Sequence, residues 1–98
     1  MTLHTFNKQP SNSQLISDCS LTVRKGDALL FIEDGVYNAT THSFNTSWQH
    51  LDDVLFLALE EDIKARGIAD DIDQCVKLID YAYFVRLCAE NDKVISWY

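Results

Sequence analysis

Gly26-Asp27-Ala28-Leu29-Leu30-Phe31-Ile32-Glu33-Asp34-Gly35 sets five consecutive apolar residues between two glycine-containing turn signals. A run without polar alternation is buried on both faces, as in a parallel sheet covered by helices. Five apolar residues are too few for an independent helix, and the flanking Gly-Asp and Asp-Gly turns decide for a strand. The rest of the chain is expected to pack around this central strand.

On the N-terminal side, Leu3, Thr5 and Asn7 alternate with His4 and Phe6, and Pro10 followed by Ser11-Asn12-Ser13 predicts a strand running into a helix cap. Leu15, Ile16, Cys19 and Val23 then recur at helical spacing, which predicts a helix from about Ser13 to Arg24 that stops at Gly26. On the C-terminal side, Asp34 caps a short helical turn over Val36 to Ala39, and Thr40 to His50 reads as polar, irregular chain. Within it, Phe44 and Trp48 are spaced i, i+4, which suits one helical turn anchored against the core.

Val54 to Leu59 repeats the unbroken apolar pattern and predicts a second covered strand. The helix after it carries the acid-to-base pairs Glu60 with Lys64 and Asp62 with Arg66, a solvated face, and closes at Gly67. Asp70-Asp71-Ile72-Asp73 lacks the spacing and the terminal Glu of a calcium loop and reads as a plain loop. Val76, Leu78 and Ile79 predict a fourth strand, Asp80 an N-cap, and Tyr81, Phe84, Val85 and Cys88 the apolar stripe of the next helix. Val94 to Tyr98 predicts a fifth strand that joins a sheet edge or meets a partner.

Strands alternating with helices in this order imply right-handed crossovers. The expected fold class is α/β: a single small domain over 1–98 with a mainly parallel, five-stranded, doubly wound sheet and helices on both faces. Ligands in such sheets sit beyond the strand C-terminal ends. That places Asn7 to Ser13, Asp34 to Asn38 and Asp80-Tyr81 nearest any site.

Fifteen acidic residues against eight basic ones give a formal charge of −7, and the basic residues are scattered, so direct nucleic-acid binding is disfavoured. No apolar run approaches the ~20 residues of a membrane span, and the opening residues do not form a signal peptide, which predicts a cytoplasmic protein. The sequence holds no GxGxxG, Walker, GxSxG or HExxH motif. His4, His42 and His50 are not spaced as metal ligands, and His4 is expected to be a packed or hydrogen-bonded side chain. Neither a metal nor a cofactor is expected. Ser11-Asn12-Ser13 suits a phosphate in principle, which leaves a nucleotide or flavin binder as an alternative, but capping explains the turn. Cys19, Cys75 and Cys88 are expected as reduced thiols, with Cys19 and Cys88 on apolar helix stripes.

Five blocks carry a family resemblance: Leu3-His4-Thr5-Phe6-Asn7-Lys8, Leu30 to Tyr37, Glu61 to Gly67, Ile79-Asp80-Tyr81 with Phe84-Val85, and Ser96-Trp97-Tyr98. In this order and spacing they resemble the TusB/DsrH family. The resemblance implies a DsrE/F/H-like α/β domain that joins two sister subunits of the DsrE/F-like (TusC/TusD-like) type in a heterohexamer with two copies of each. It further implies a relay of persulfide sulfur, between upstream and downstream carrier proteins, toward 2-thiolation of the tRNA wobble uridine. The alternative branch is a DsrH-type subunit serving dissimilatory sulfur oxidation. In both branches the principal sulfur-carrying cysteine belongs to a sister subunit, which leaves this chain an assembly and docking role and makes it a non-catalytic subunit of a sulfurtransferase complex. DsrH-type members carry a cysteine at the position of Cys19, which makes Cys19 the candidate catalytic residue, a possible persulfide carrier. The Trp97-Tyr98 end and the Phe44/Trp48 segment are the candidate partner contacts, with core packing as the other role open to each.

Overall fold

A computed structural model describes residues Met1–Tyr98, and Ala28 to Phe31 lie mid-sheet with every side chain fully buried. The elements in chain order are β1 (Thr2–Phe6), α1 (Ser13–Thr22), β2 (Ala28–Phe31), a 3-10 segment (Glu33–Ala39) and α2 (Thr41–Ser47). There follow β3 (Leu55–Leu59), α3 (Glu60–Arg66), a 3-10 turn (Ala69–Asp71), β4 (Lys77–Ile79), α4 (Tyr81–Glu90) and β5 (Lys93–Trp97). The strands form one sheet in the order β4-β3-β2-β1-β5, and every neighbouring pair is parallel. The first four strands step in one direction and the fifth crosses to the far side of β1, so the chain order reverses between β1 and β5.

That reversal puts helices on both faces, because right-handed crossovers running in opposite directions lie on opposite sides of a sheet. Ile16 and Cys19 of α1, Phe44 of α2 and Ile63 of α3 join Phe6, Leu29, Phe31, Phe56 and Ala58 in the larger core. Leu87 of α4, with Tyr83, Phe84 and Cys88 packed around it, closes the smaller core over Leu3, Ala28, Leu30, Leu57 and Ile79. The larger core is organised by edge-to-face aromatic pairs, Phe6 with Trp48 at 5.3 Å, Phe31 with Trp48 at 5.4 Å and Phe44 with Phe56 at 4.8 Å between ring centroids.

Five local expectations are corrected by tertiary packing. Asp34 does not cap the turn after β2: the 3-10 segment starts at Glu33 with Ile32 as its cap, and the Asp34 carboxylate is taken by Arg66. Helix α1 ends at Thr22 with Val23 as its extended cap, and Gly26, at φ +88°, forms the turn into β2 and donates its N–H to Asp53. Thr40 to His50 is not irregular: a polar stretch of low intrinsic helix propensity becomes α2 because Phe44 and Trp48 are sealed in the core. The acidic Asp70-Asp71 segment makes one 3-10 turn. On α4 the inward stripe is Tyr83, Phe84, Leu87 and Cys88, while Tyr81 and Val85 are exposed. Both stripes satisfy a 3.6-residue repeat, and the sheet selects between them. The caps at Asp80, whose carboxylate accepts from the Tyr83 N–H at 2.8 Å, and at left-handed Gly67 match expectation.

Candidate functional site

The C-terminal edge of the sheet, where ligands bind in this architecture, is occupied by loops tied to one another. Asn38 is fully buried in the 3-10 segment after β2 and uses its whole amide: Nδ2 donates to the carbonyls of Lys8 at 2.9 Å and Gly35 at 3.0 Å, and Oδ1 accepts from the Trp48 indole at 3.2 Å. Gly35 lies so close to β1 that a Cβ there would fall 2.0 Å from the Phe6 carbonyl oxygen, and only glycine fits. The acids of α3, expected as a solvated face, reach into the same edge. Asp62 accepts from the N–H of Glu33, held at φ +51°, at 2.6 Å, and Glu61 accepts from the N–H of Tyr81 at 3.1 Å. Arg66 donates through Nε and Nη2 to Asp34 at 3.2 and 2.9 Å. Asn12 is spent on the cap of α1, accepting from the Leu15 N–H at 3.3 Å. At the reversal point, Asn7 Oδ1 is buried without a partner, and the Asn7 N–H donates to the Trp97 carbonyl at 3.4 Å.

The thiols lie apart from this edge chemistry. Cys19 is wholly buried in the larger core, and burial pushes its pKa up to about 12. The nucleophile in sulfur exchange is the thiolate, and an apolar surrounding disfavours it. Cys75 is exposed, and the neighbouring Asp73 carboxylate, which accepts from the Cys75 backbone N–H at 2.9 Å, raises its pKa, with a smaller contribution from desolvation. Cys88 is half-buried on α4 against the smaller core.

The other end of the sheet carries an arrangement that the sequence reading did not assemble. His4 is 1% exposed and bonded on both ring nitrogens. The Trp97 indole can only donate, and it does so to His4 Nδ1 at 3.1 Å, so Nδ1 is unprotonated and the Nε2–H donates to Asp27 at 3.0 Å. Asp27 also accepts from the backbone N–H groups of Thr2 and Arg24, each at 3.0 Å. Burial pushes the Asp27 pKa up, but the bonds from Arg24, His4 and Thr2 outweigh it and hold the pKa below the usual aspartate value. The trio ties the start of β1, the turn before β2 and the end of β5 together, with the His4 and Trp97 rings stacked at 6.3 Å. His4 is thus the hydrogen-bonded side chain expected of it, but its partners, 23 and 93 residues away, share no local pattern with it. Beside the trio opens a cleft of about 510 Å³ whose walls include Thr2, Arg24, Lys93 and Ile95.

Phe44 and Trp48, carried as candidate partner contacts, are core residues. Trp97 is half-buried by its bond to His4, and Tyr98 beside it is 79% exposed.

Comparison with known proteins bears on the whole chain. The model of the family described as DsrH like protein matches residues 8–94. Protein TusB of Pectobacterium parmentieri is 34% identical over 96 residues, covering 97% of this chain and 99% of the relative. Protein TusB of Escherichia coli K12 is 32% identical over 98 residues with the same coverage. Among solved structures, the ychN protein from E. coli superposes with a TM-score of 0.69 at 13% identity over 97% of both chains. A protein of unknown function from Methanobacterium thermoautotrophicum does so at 0.67 and 20% identity, over 97% of this chain and 96% of that one. These two likenesses concern the fold. With a family match across nearly its full length and relatives above 30% identity, the chain belongs to the DsrH-like family, alongside the proteins named TusB.

Proposed function

We propose that this chain is a subunit of a cytoplasmic sulfur relay that serves 2-thiolation of the tRNA wobble uridine, and that it acts by docking rather than by carrying sulfur. Membership of the DsrH-like family and the TusB relatives support the pathway. The docking role rests on the settings of Cys19 and Cys75: Cys19 is sealed in the core with its pKa pushed up to about 12, and Cys75 lies beside the Asp73 carboxylate, which opposes thiolate formation. Persulfide transfer proceeds by thiolate attack on sulfur, for which both settings are unfavourable. Cys19 in this reading is a packing residue. No helix is long and apolar enough to cross a membrane.

The partners are two sister subunits of the DsrE/F-like type in a heterohexamer with two copies of each, and the exposed Tyr98 is a contact with them. Light scattering on the chain co-expressed with both sisters is expected to give the heterohexamer mass, and Tyr98→Ala to weaken it while leaving the chain folded. A native chain that elutes as a monomer in their presence would overturn the reading. A folded Cys19→Ala variant that assembles but no longer passes sulfur would instead assign Cys19 the carrier role of a sulfur-oxidation subunit.

A further inference from the structure

The cleft at the N-terminal end of β1 and β5 has no part in the relay reading, and it brings cationic and aliphatic side chains together. The chain carries fifteen acidic and eight basic residues. Arg66 meets Asp34 at 2.9 Å and Asp62 at 3.8 Å, Arg86 meets Glu90 at 3.9 Å and Lys64 meets Glu60 at 3.3 Å. Arg24 is the one arginine without a carboxylate within 4.0 Å of its guanidinium; Lys8, Lys25, Lys77 and Lys93 have none either, and of these unpaired cations Arg24 and Lys93 line this cleft together. The carboxylate in its floor, Asp27, is already committed to two backbone N–H groups and to His4.

The floor therefore has little capacity for a new cation, while the walls offer two cationic heads without partners. Apolar surface flanks them: Leu21, in the last turn of α1, is 84% exposed, and Ile95 is half-buried on β5. β5 is an edge strand, so nothing in the chain lies beyond it. Cations beside aliphatic surface, on a molecule otherwise dominated by acids, complement a segment that carries carboxylates together with apolar side chains.

We propose that this cleft is the docking slot for an acidic, partly apolar segment of a sister subunit, with carboxylates against Arg24 and Lys93 and an aliphatic side chain on Leu21. The proposal rests on the relay-subunit reading and adds to it where one partner is held. The slot lies at the opposite end of β5 from Tyr98, so the two contacts are separable.

The test compares the native chain with Arg24→Glu/Lys93→Glu and with a control of equal charge change toward the opposite, β4 edge of the sheet, Lys64→Glu/Lys77→Glu. Each is titrated against the purified pair of sister subunits at several salt concentrations, with thermal midpoints confirming the fold. A rise of about tenfold or more in the dissociation constant for the cleft variant, with a flatter salt dependence and a control close to native, is the expected result. Leu21→Ser should weaken binding without changing the salt slope. A cleft variant that binds as the native chain does would overturn the slot while leaving the relay reading standing, as would a control weakened to the same extent. A native chain that ignores the sisters overturns both. Binding of unmodified tRNA to the isolated chain, abolished by the cleft variant, would replace the protein segment with a nucleic acid.

Discussion

Asp27→Asn is the substitution that most directly probes how the two ends of this chain are joined. In the native protein Oδ1 accepts from the Thr2 N–H, and Oδ2 accepts from the Arg24 N–H and the His4 Nε2–H, all at 3.0 Å. An asparagine has one acceptor oxygen. If that oxygen takes the Oδ2 position, the Arg24 and His4 bonds persist in weaker, neutral form and the amide nitrogen faces the Thr2 N–H. If it takes the Oδ1 position, two donors face the amide nitrogen. His4 cannot relieve this by shifting its proton to Nδ1, because the Trp97 indole N–H already points there. Charge-assisted bonds contribute about 1.5–3 kcal/mol each and a buried donor left unpaired costs about 1–3 kcal/mol, so a net loss of about 2–4 kcal/mol is expected. Relief of one negative charge opposes this and is smaller. For a domain of this size the loss corresponds to roughly 10–25 °C in thermal midpoint.

The same reasoning fixes a pH dependence. The Asp27 pKa is lowered on folding, so its contribution is fully present above the unfolded carboxyl value of about 3.9 and is lost as pH falls through the lower folded value. Urea unfolding followed by tryptophan fluorescence, at pH 7 and stepwise down to pH 2, is therefore expected to show a gap between native and variant that is constant near neutrality and closes under acid. Equal stabilities at pH 7, or a gap that widens as the pH falls, would refute the proposed role of the carboxylate.

Three further outcomes are expected. Asn38→Leu strands the Trp48 indole N–H and the carbonyls of Lys8 and Gly35, and should cost about 2–4 kcal/mol in chemical denaturation. Gly35→Ala forces a Cβ into the Phe6 backbone and should cost at least about 3 kcal/mol, whereas Gly26→Ala meets nothing within 4 Å and carries only the strain of φ +88°, about 1–2 kcal/mol. Iodoacetamide at neutral pH, read by peptide mass spectrometry, should label exposed Cys75 well before buried Cys19, and rapid native labelling of Cys19 would remove it from the core.

The covered strands were legible because their signal is local. Ala28 to Phe31 and Leu55 to Leu59 are unbroken apolar runs, and Asp80 and Gly67 are caps whose bonds span three or four residues. Helix α2 was legible only in part: the i, i+4 spacing of Phe44 and Trp48 marked one helical turn against the core, but the polar residues around them carry no period that shows its extent, and Trp48 is fixed by rings on β1 and β2. The inward face of α4 was ambiguous for a different reason. Two overlapping stripes, one through Tyr81 and Val85 and one through Tyr83 and Leu87, repeat with the same period, and only the sheet beneath distinguishes them.

At the level of function, the five sequence blocks were enough to identify the family, since each is a short, ordered string. Cys19 was placed correctly on an apolar stripe, but neither its complete exclusion from water nor the resulting rise in pKa can be read from a helical period.

What the sequence determined by itself is the α/β class, the parallel pairing of buried strands, most cap positions and the family, because those depend on residues within a few positions of one another. Tertiary structure alone decided that His4, Asp27 and Trp97 form one bonded unit, that Asn38 locks the C-terminal edge and that Arg24 and Lys93 share an open cleft. The physical reason is the parallel sheet: its crossovers bring together ends of strands that are remote in the chain, and hydrogen-bond partners chosen across that distance leave no periodic trace in sequence.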